Sequence, residues 1–160
     1  MLTVFLAALS LGAALANLLG RLPLRPEALL TGLLLASAAV IAATPHLFFH
    51  LTGGIGYLGG RADYAGYVIE VARVAALTIM IPGTILGAVL PYLLRLMQDG
   101  AAPGATLGRL IAVNTTGAIL GALAGGLVLL PLAGAWKGLW LMGAMYALLA
   151  VLLCRGRRTR

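Results

Sequence analysis

Four polar side chains inside otherwise apolar stretches have the types and spacings of an ion pair or a ligand-binding site. Glu70 and Arg73 are three residues apart, which on a helix sets a carboxylate beside a guanidinium. Such a pair suits a structural ion pair or a site for a polycation such as a polyamine. His46 and His50 are four residues apart, so both imidazoles share one helix face, as in a metal or haem ligand pair. Histidines at a membrane interface without any ligand are the alternative.

The content of acids, histidines and cysteines is too small for a catalytic constellation. The chain holds four acidic residues, two histidines and one cysteine. Their spacing forms neither a nucleophile–base pair nor a carboxylate pair. We therefore predict that these 160 residues are not an enzyme and need no cofactor.

Small residues in the fourth apolar run form a regular pattern that follows two polar residues in the sequence. Gly117, Gly121 and Gly125 follow Asn114 and Thr115 at intervals of four, so the glycines align on one helix face. Membrane helices approach closely along such faces, and an amide can hydrogen-bond across the contact. The pattern predicts a helix-packing face, and the alternative is that Asn114 and Thr115 line a substrate path.

The first apolar run carries a similar small-residue face. Gly12 and Ala16 are four residues apart, and Asn17 is adjacent. We predict that this face packs on a neighbouring helix and offers a surface matching that of the fourth run. Asn17 joins Glu70 and Asn114 as a candidate substrate-binding residue.

The composition of the chain indicates that all of these groups lie on membrane-spanning helices. Hydrophobic residues make up 62% of the chain and charged residues only 9%, whereas a soluble domain of this size has to cover itself with polar side chains. About 20 apolar residues cross a bilayer. We predict an all-α polytopic integral membrane protein, a single domain over 1–160, with five transmembrane helices at about 2–19, 27–43, 66–96, 110–132 and 135–154.

Two prolines interrupt the third of these helices. Pro82 and Pro91 each remove a backbone donor and predict kinks. Broken helices in transporters often mark binding sites, and a static kink that fits the helix to its neighbour is the alternative.

The formal net charge of +7 lies at the ends of the apolar runs. It shows no aromatic interleaving of the kind that binds nucleic acid, so we predict no nucleic-acid partner. By the positive-inside rule the C-terminus is cytoplasmic. One predicted side has Arg61 and Lys137, with Arg73 just inside the third helix, whereas eight basic residues lie on the other side: Arg21, Arg25, Arg95, Arg109, Arg155, Arg157, Arg158 and Arg160.

Two stretches resemble a known family. They are IPGTILGAVLPYLLRL (81–96) and GRLIAVNTTGAILGALAGGLVLLPLAG (108–134). Together they resemble the membrane domain of the fused major-facilitator-like/spermidine synthase proteins of bacteria. The matching residues are Pro82, Gly87, Ala88, Leu90, Pro91, Gly108, Arg109, Leu110, Asn114, Thr115, Gly117, Ala118, Gly121, Pro131 and Gly134.

The resemblance implies a multi-pass protein of the bacterial inner membrane, acting in polyamine transport or as a membrane anchor for a catalytic or transport partner. The resembled proteins also carry a soluble aminopropyltransferase domain, which these 160 residues do not contain. A helix-packing subunit of a larger membrane complex, or a homo-oligomer, is the alternative function. A haem- or metal-binding membrane subunit using His46 and His50 is the third.

Overall fold

The computed structural model describes residues 2–54, 63–97 and 103–158, and within these ranges the chain is helical apart from short turns. No strand occurs there, so the all-α prediction is confirmed for the described residues. By length and composition, four helical runs in these ranges are long and apolar enough to cross a membrane. The elements are α1 (Leu2–Leu19), α2 (Pro26–Leu51), α3 (Tyr64–Leu96), α4 (Pro103–Ala124), a π-helical segment (Gly125–Leu129) and α5 (Leu130–Arg158).

Helix α2 is longer than predicted. We expected it to end at residue 43, before Pro45, but it runs through this proline to Leu51. Pro45 is buried inside the helix, and the hydroxyl of Thr44 donates to the carbonyl of Val40 at 2.8 Å. A proline inside a helix removes one backbone hydrogen bond but does not have to end the helix. The observed helix therefore extends eight residues past the predicted boundary.

Helix α3 begins two residues before the predicted start. The carboxylate of Asp63 accepts a hydrogen bond from the backbone N–H of Gly66 at 3.0 Å, so Asp63 is the N-cap and the helix starts at Tyr64. Pro82 and Pro91 both lie inside this helix, which continues past them to its predicted end.

The last two predicted spans are joined more continuously than expected. Helix α4 begins at Pro103, and the helical run continues through the π-helical segment into α5. Within that run Gly134 leaves the helical conformation, with φ 74° and ψ 168°. This left-handed φ favours glycine, and the break falls between the predicted spans 110–132 and 135–154.

Helices α1 and α3 lie parallel and touch backbone to backbone. A Cβ added at Gly12 would lie 2.6 Å from the carbonyl oxygen of Thr84 and 2.7 Å from the carbonyl carbon of Gly87. One turn earlier, a Cβ at Gly83 would lie 2.8 Å from the Cβ of Ala8. The predicted small-residue face of α1 therefore packs on α3, not on the matching face of α4. Here α3 has its own small residues at four-residue spacing, which permit this approach.

Helix α2 runs antiparallel to both α3 and α5. Near its start, the Tyr92 hydroxyl of α3 donates to the carbonyl of Pro26 at 3.0 Å. Near its middle, a Cβ added at Gly143 of α5 would lie 3.1 Å from the carbonyl oxygen of Ala38. The order across the bundle is thus α1, α3, α2, α5.

The packing gathers basic residues at one end of this bundle, which we call the basic end. There α1 ends, α2 begins, and α3 and α5 end. It carries Arg21, Arg25, Arg95 and Arg155, which the orientation prediction places together. Arg61 and Arg160, which that prediction also counts, lie outside the described residues.

Candidate functional site

Three glycines form an open surface, which we call the α4 glycine face: Gly117 and Gly121 of α4, and Gly125, the first residue of the π-helical segment. A Cβ added at any of the three would meet no neighbouring atom within 4 Å. The whole stretch 111–124 is exposed, and α4 has no extensive contact with α1, α2, α3 or α5. The expected small-residue face thus exists, but within the described residues nothing packs on it.

Polar side chains lie beside this open face. Asn114 is exposed about one helical turn before Gly117, and Thr115 follows it. Neither side chain has a hydrogen-bond partner within residues 2–54, 63–97 and 103–158. In a bilayer an amide without a partner is costly, because lipid tails offer neither donor nor acceptor.

Small residues elsewhere in the bundle are used for close helix contacts. Gly12, Gly83 and Gly87 lie between α1 and α3, and Gly143 lies between α2 and α5. A glycine inside a helix costs roughly 1 kcal/mol relative to alanine, and close packing offsets that cost. The α4 glycine face bears the same cost without a contact among the described residues.

Glu70 and Arg73 form an ion pair at the end of the bundle opposite the basic end. Arg73 Nη1 lies 3.6 Å from Glu70 Oε2, and the side chains of Arg73 and Glu70 are 64% and 37% exposed, respectively. The pair is local, three residues apart on α3, and exposed pairs of this kind contribute little to stability. Nearby, the Asp63 carboxylate caps α3 through Gly66. The two acids that a polycation would meet here are thus both engaged by this chain's own groups.

His46 and His50 lie in an aromatic cluster between the end of α2 and the start of α5. The His46 ring lies 5.9 Å from that of Trp140, and the His50 ring lies 6.2 Å from that of Phe49. Phe49 in turn lies 6.5 Å from Trp136. Among the described residues no group of three His, Cys, Asp or Glu side chains could hold a metal ion. The metal or haem role of this histidine pair stays a prediction.

The two prolines of α3 leave carbonyls without their usual helical donors, those of Thr78 and Gly87. Thr78 also donates its hydroxyl to the carbonyl of Val74. Gly87 lies where α1 approaches most closely. The carbonyl left without a helical donor by Pro91 therefore lies in the contact between α1 and α3.

Asn17 has a structural partner at the basic end. Arg95 Nη1 donates to the Asn17 carbonyl at 3.3 Å and to its side-chain oxygen at 3.5 Å. Glu70 lies on the same helix as Arg95 but 25 residues earlier, which is roughly 38 Å along the axis. The proposed substrate-binding residues are therefore spread over both ends of the bundle and α4, and the fold does not bring them together.

Sequence reasoning missed four residues that organise the bundle. Gly83 and Gly87 form a four-residue small-residue spacing that was readable in the sequence. Gly143 shows the same four-residue spacing with Ala147. Tyr92 is a buried tyrosine whose hydroxyl joins α3 to the start of α2, and only the packing reveals that role.

Comparison with known proteins adds no relative, since no family model, curated protein or solved structure matches this chain. The resemblance to the membrane domain of fused spermidine synthases therefore stays a prediction, and the functional proposal must rest on geometry.

Proposed function

We propose that this chain is a multi-pass membrane subunit that binds another transmembrane helix on the α4 glycine face. The observation that carries the proposal is that this face is open while the comparable faces of α1 and α3 are occupied. The partner is a second copy of the chain or another membrane subunit. Anchoring a catalytic or transport partner, as the resemblance implies, is one form of this function.

Five crossings of the bilayer agree with the helix lengths. The apolar run Gly104–Gly156 has 53 residues, which is roughly 80 Å of helix against a hydrocarbon core of about 30 Å. Two crossings of the bilayer, separated by the break at Gly134, account for this length. The basic end then faces the cytoplasm, together with the C-terminus, in what the resemblance implies is a bacterial inner membrane.

The physical reason for a partner is the nature of helix association in lipid. Burial of apolar surface gives little driving force there, so close backbone approach and interhelical hydrogen bonds decide which helices meet. The α4 glycine face permits the approach, and Asn114 can supply the hydrogen bond. Without a partner helix, α4 would carry the destabilising glycines and the unpaired Asn114 amide with no contact to offset them.

The test is purification in mild detergent with measurement of the mass of the complex. In the Gly121→Leu variant the leucine side chain should block the partner helix and weaken association about tenfold or more. The matched control is Ala112→Leu, nine residues earlier and thus about two and a half turns away, on the opposite side of α4. A wild-type chain that is monomeric, or equal loss in both variants, would contradict the proposal.

Polyamine transport is a second proposal, derived from the resemblance and from the partly exposed carboxylate of Glu70. Spermidine uptake into proteoliposomes should then fall in the Glu70→Gln variant, since the neutral amide cannot pair with a cation. Glu27→Gln is the matched control, because it makes the same change at the start of α2, at the opposite end of the bundle. Uptake that is absent in the wild type, or unchanged in Glu70→Gln, would exclude this role for Glu70.

A further inference from the structure

The basic end contains an open cleft that the α4 docking function does not use. Its volume is about 960 Å³, within the size range of small-molecule sites. The cleft lies where the turn between α1 and α2 faces the end of α3. Segments about 70 residues apart in sequence therefore form its two sides.

Two guanidinium groups line this cleft, those of Arg25 and Arg95. Arg95 donates through Nη1 to the backbone and side-chain oxygens of Asn17. An arginine has five N–H donors, so its Nε and Nη2 donors stay available among the described residues. Arg25 forms no ion pair or side-chain hydrogen bond in those same ranges. Glu27 also lines the cleft, so the net charge of the three groups is positive.

Gly20 makes the position of Arg95 possible. A Cβ added at Gly20 would lie 2.3 Å from Arg95 Nη1 and 2.4 Å from its Cζ. The guanidinium thus lies directly over the end of α1, where unpaired helix carbonyls favour a cation. Any side chain at residue 20 would push Arg95 out of this position.

The remainder of the cleft wall is apolar, from leucines on all three elements. Leu22 and Leu24 flank the turn before Arg25 and are 46% and 56% exposed, and Leu30 and Leu93 line the sides. A free inorganic anion would make no use of such walls. An amphiphile with a negative headgroup and acyl chains would use both the arginines and the leucines.

The cleft also lies at the correct depth for a lipid headgroup. Helix α1 has 18 residues, which is roughly 27 Å and close to the hydrocarbon thickness. If α1 crosses the bilayer, as proposed above, its end and the following turn reach the headgroup layer. Basic pockets between transmembrane helices at this level are suited to anionic lipids.

We propose that this cleft binds an anionic phospholipid, with the phosphodiester between Arg25 and Arg95 and an acyl chain along the leucine walls. The proposal rests on membrane insertion but not on docking at α4. It assigns the cleft to lipid recognition at the basic end, in either a monomer or a complex.

The experiment measures lipid binding to the purified full chain by native mass spectrometry from detergent. The probes are phosphatidylglycerol, phosphatidylcholine and the soluble headgroup analogue glycerol 3-phosphate. We expect selective retention of phosphatidylglycerol, and about fivefold weaker binding in Arg25→Gln, the effect of one basic side chain at an anionic surface. Gly20→Ala should weaken binding by displacing Arg95 at unchanged charge.

Arg73→Gln is the control, because it removes the same charge at the opposite end of the bundle and should leave lipid binding unchanged. Equal binding of the two phospholipids, or equal loss in Arg73→Gln and Arg25→Gln, would overturn the proposal. Binding of glycerol 3-phosphate as tight as that of the lipid would also overturn it, in favour of a simple anion site. Recovery of the chain in the membrane fraction after alkaline extraction separates these outcomes from failure of membrane insertion.

Discussion

The contact between α1 and α3 offers a direct test of the packing. In Gly12→Ala the added methyl group would lie 2.6 Å from the Thr84 carbonyl oxygen, 2.7 Å from the Gly87 carbonyl carbon and 2.8 Å from the Ala88 nitrogen. Comfortable contacts of this kind need about 3.5 Å, so the helices must separate by roughly 1 Å. All three atoms belong to the backbone, and no side-chain rotation can relieve the clash.

The expected magnitude follows from two opposing effects. Overpacking a close contact costs about 1–3 kcal/mol, and rigid backbone neighbours favour the upper part of this range. Replacing a helical glycine by alanine recovers roughly 1 kcal/mol of that cost. We therefore expect Gly12→Ala to lower the free energy of unfolding by about 1–2 kcal/mol. Titration with a denaturing detergent in mixed micelles, followed by circular dichroism, measures this loss.

Gly117→Ala is the matched control, since it makes the same chemical change where no atom lies within 4 Å. In the monomeric chain it should leave the free energy of unfolding unchanged or raise it by up to about 1 kcal/mol. If the two variants unfolded at the same denaturant concentration, the helix pairing described above would be refuted.

Two further predictions concern single hydrogen bonds. Tyr92→Phe removes the hydroxyl that donates to the Pro26 carbonyl at 3.0 Å, and should lower the free energy of unfolding by about 1 kcal/mol in the same titration while the helix content stays unchanged. A loss below the error of the titration would show that this bond does not hold α3 to α2. Asp63→Ala removes the cap of α3 and should cost about 1 kcal/mol, whereas Asp63→Asn should cost much less because its oxygen can still accept from Gly66. Equal destabilisation by both would argue against capping.

Local sequence features predicted the helical elements where local physics decides them. The apolar run at 2–19 is observed as α1 without change, because its length and composition leave little alternative in an apolar environment. The break at Gly134 falls between the predicted spans 110–132 and 135–154, and a glycine readily adopts the positive φ found there. The end of α2 could not be predicted from the sequence, since tolerance of Pro45 inside the helix depends on the burial that the neighbouring helices provide.

The candidate site was predictable only as a set of residue types. The glycine spacing on α4 and the ion pair of Glu70 with Arg73 follow directly from helical periodicity. The attachment of Asn17 to Arg95 joins residues 78 positions apart, and no sequence period reports a contact of that kind.

The sequence by itself determined that this chain is helical and apolar, and that its helices carry small-residue faces with charges at their ends. The tertiary structure decided which faces meet: that of α1 is closed by Gly83 and Gly87 of α3, while that of α4 meets no neighbour among the described residues. It also decided that the ends of α1 and α3 and the start of α2 enclose a basic cleft. The physical reason is that small-residue faces are chemically alike. Periodicity shows that such a face exists, but its partner depends on which backbones the whole bundle allows to approach.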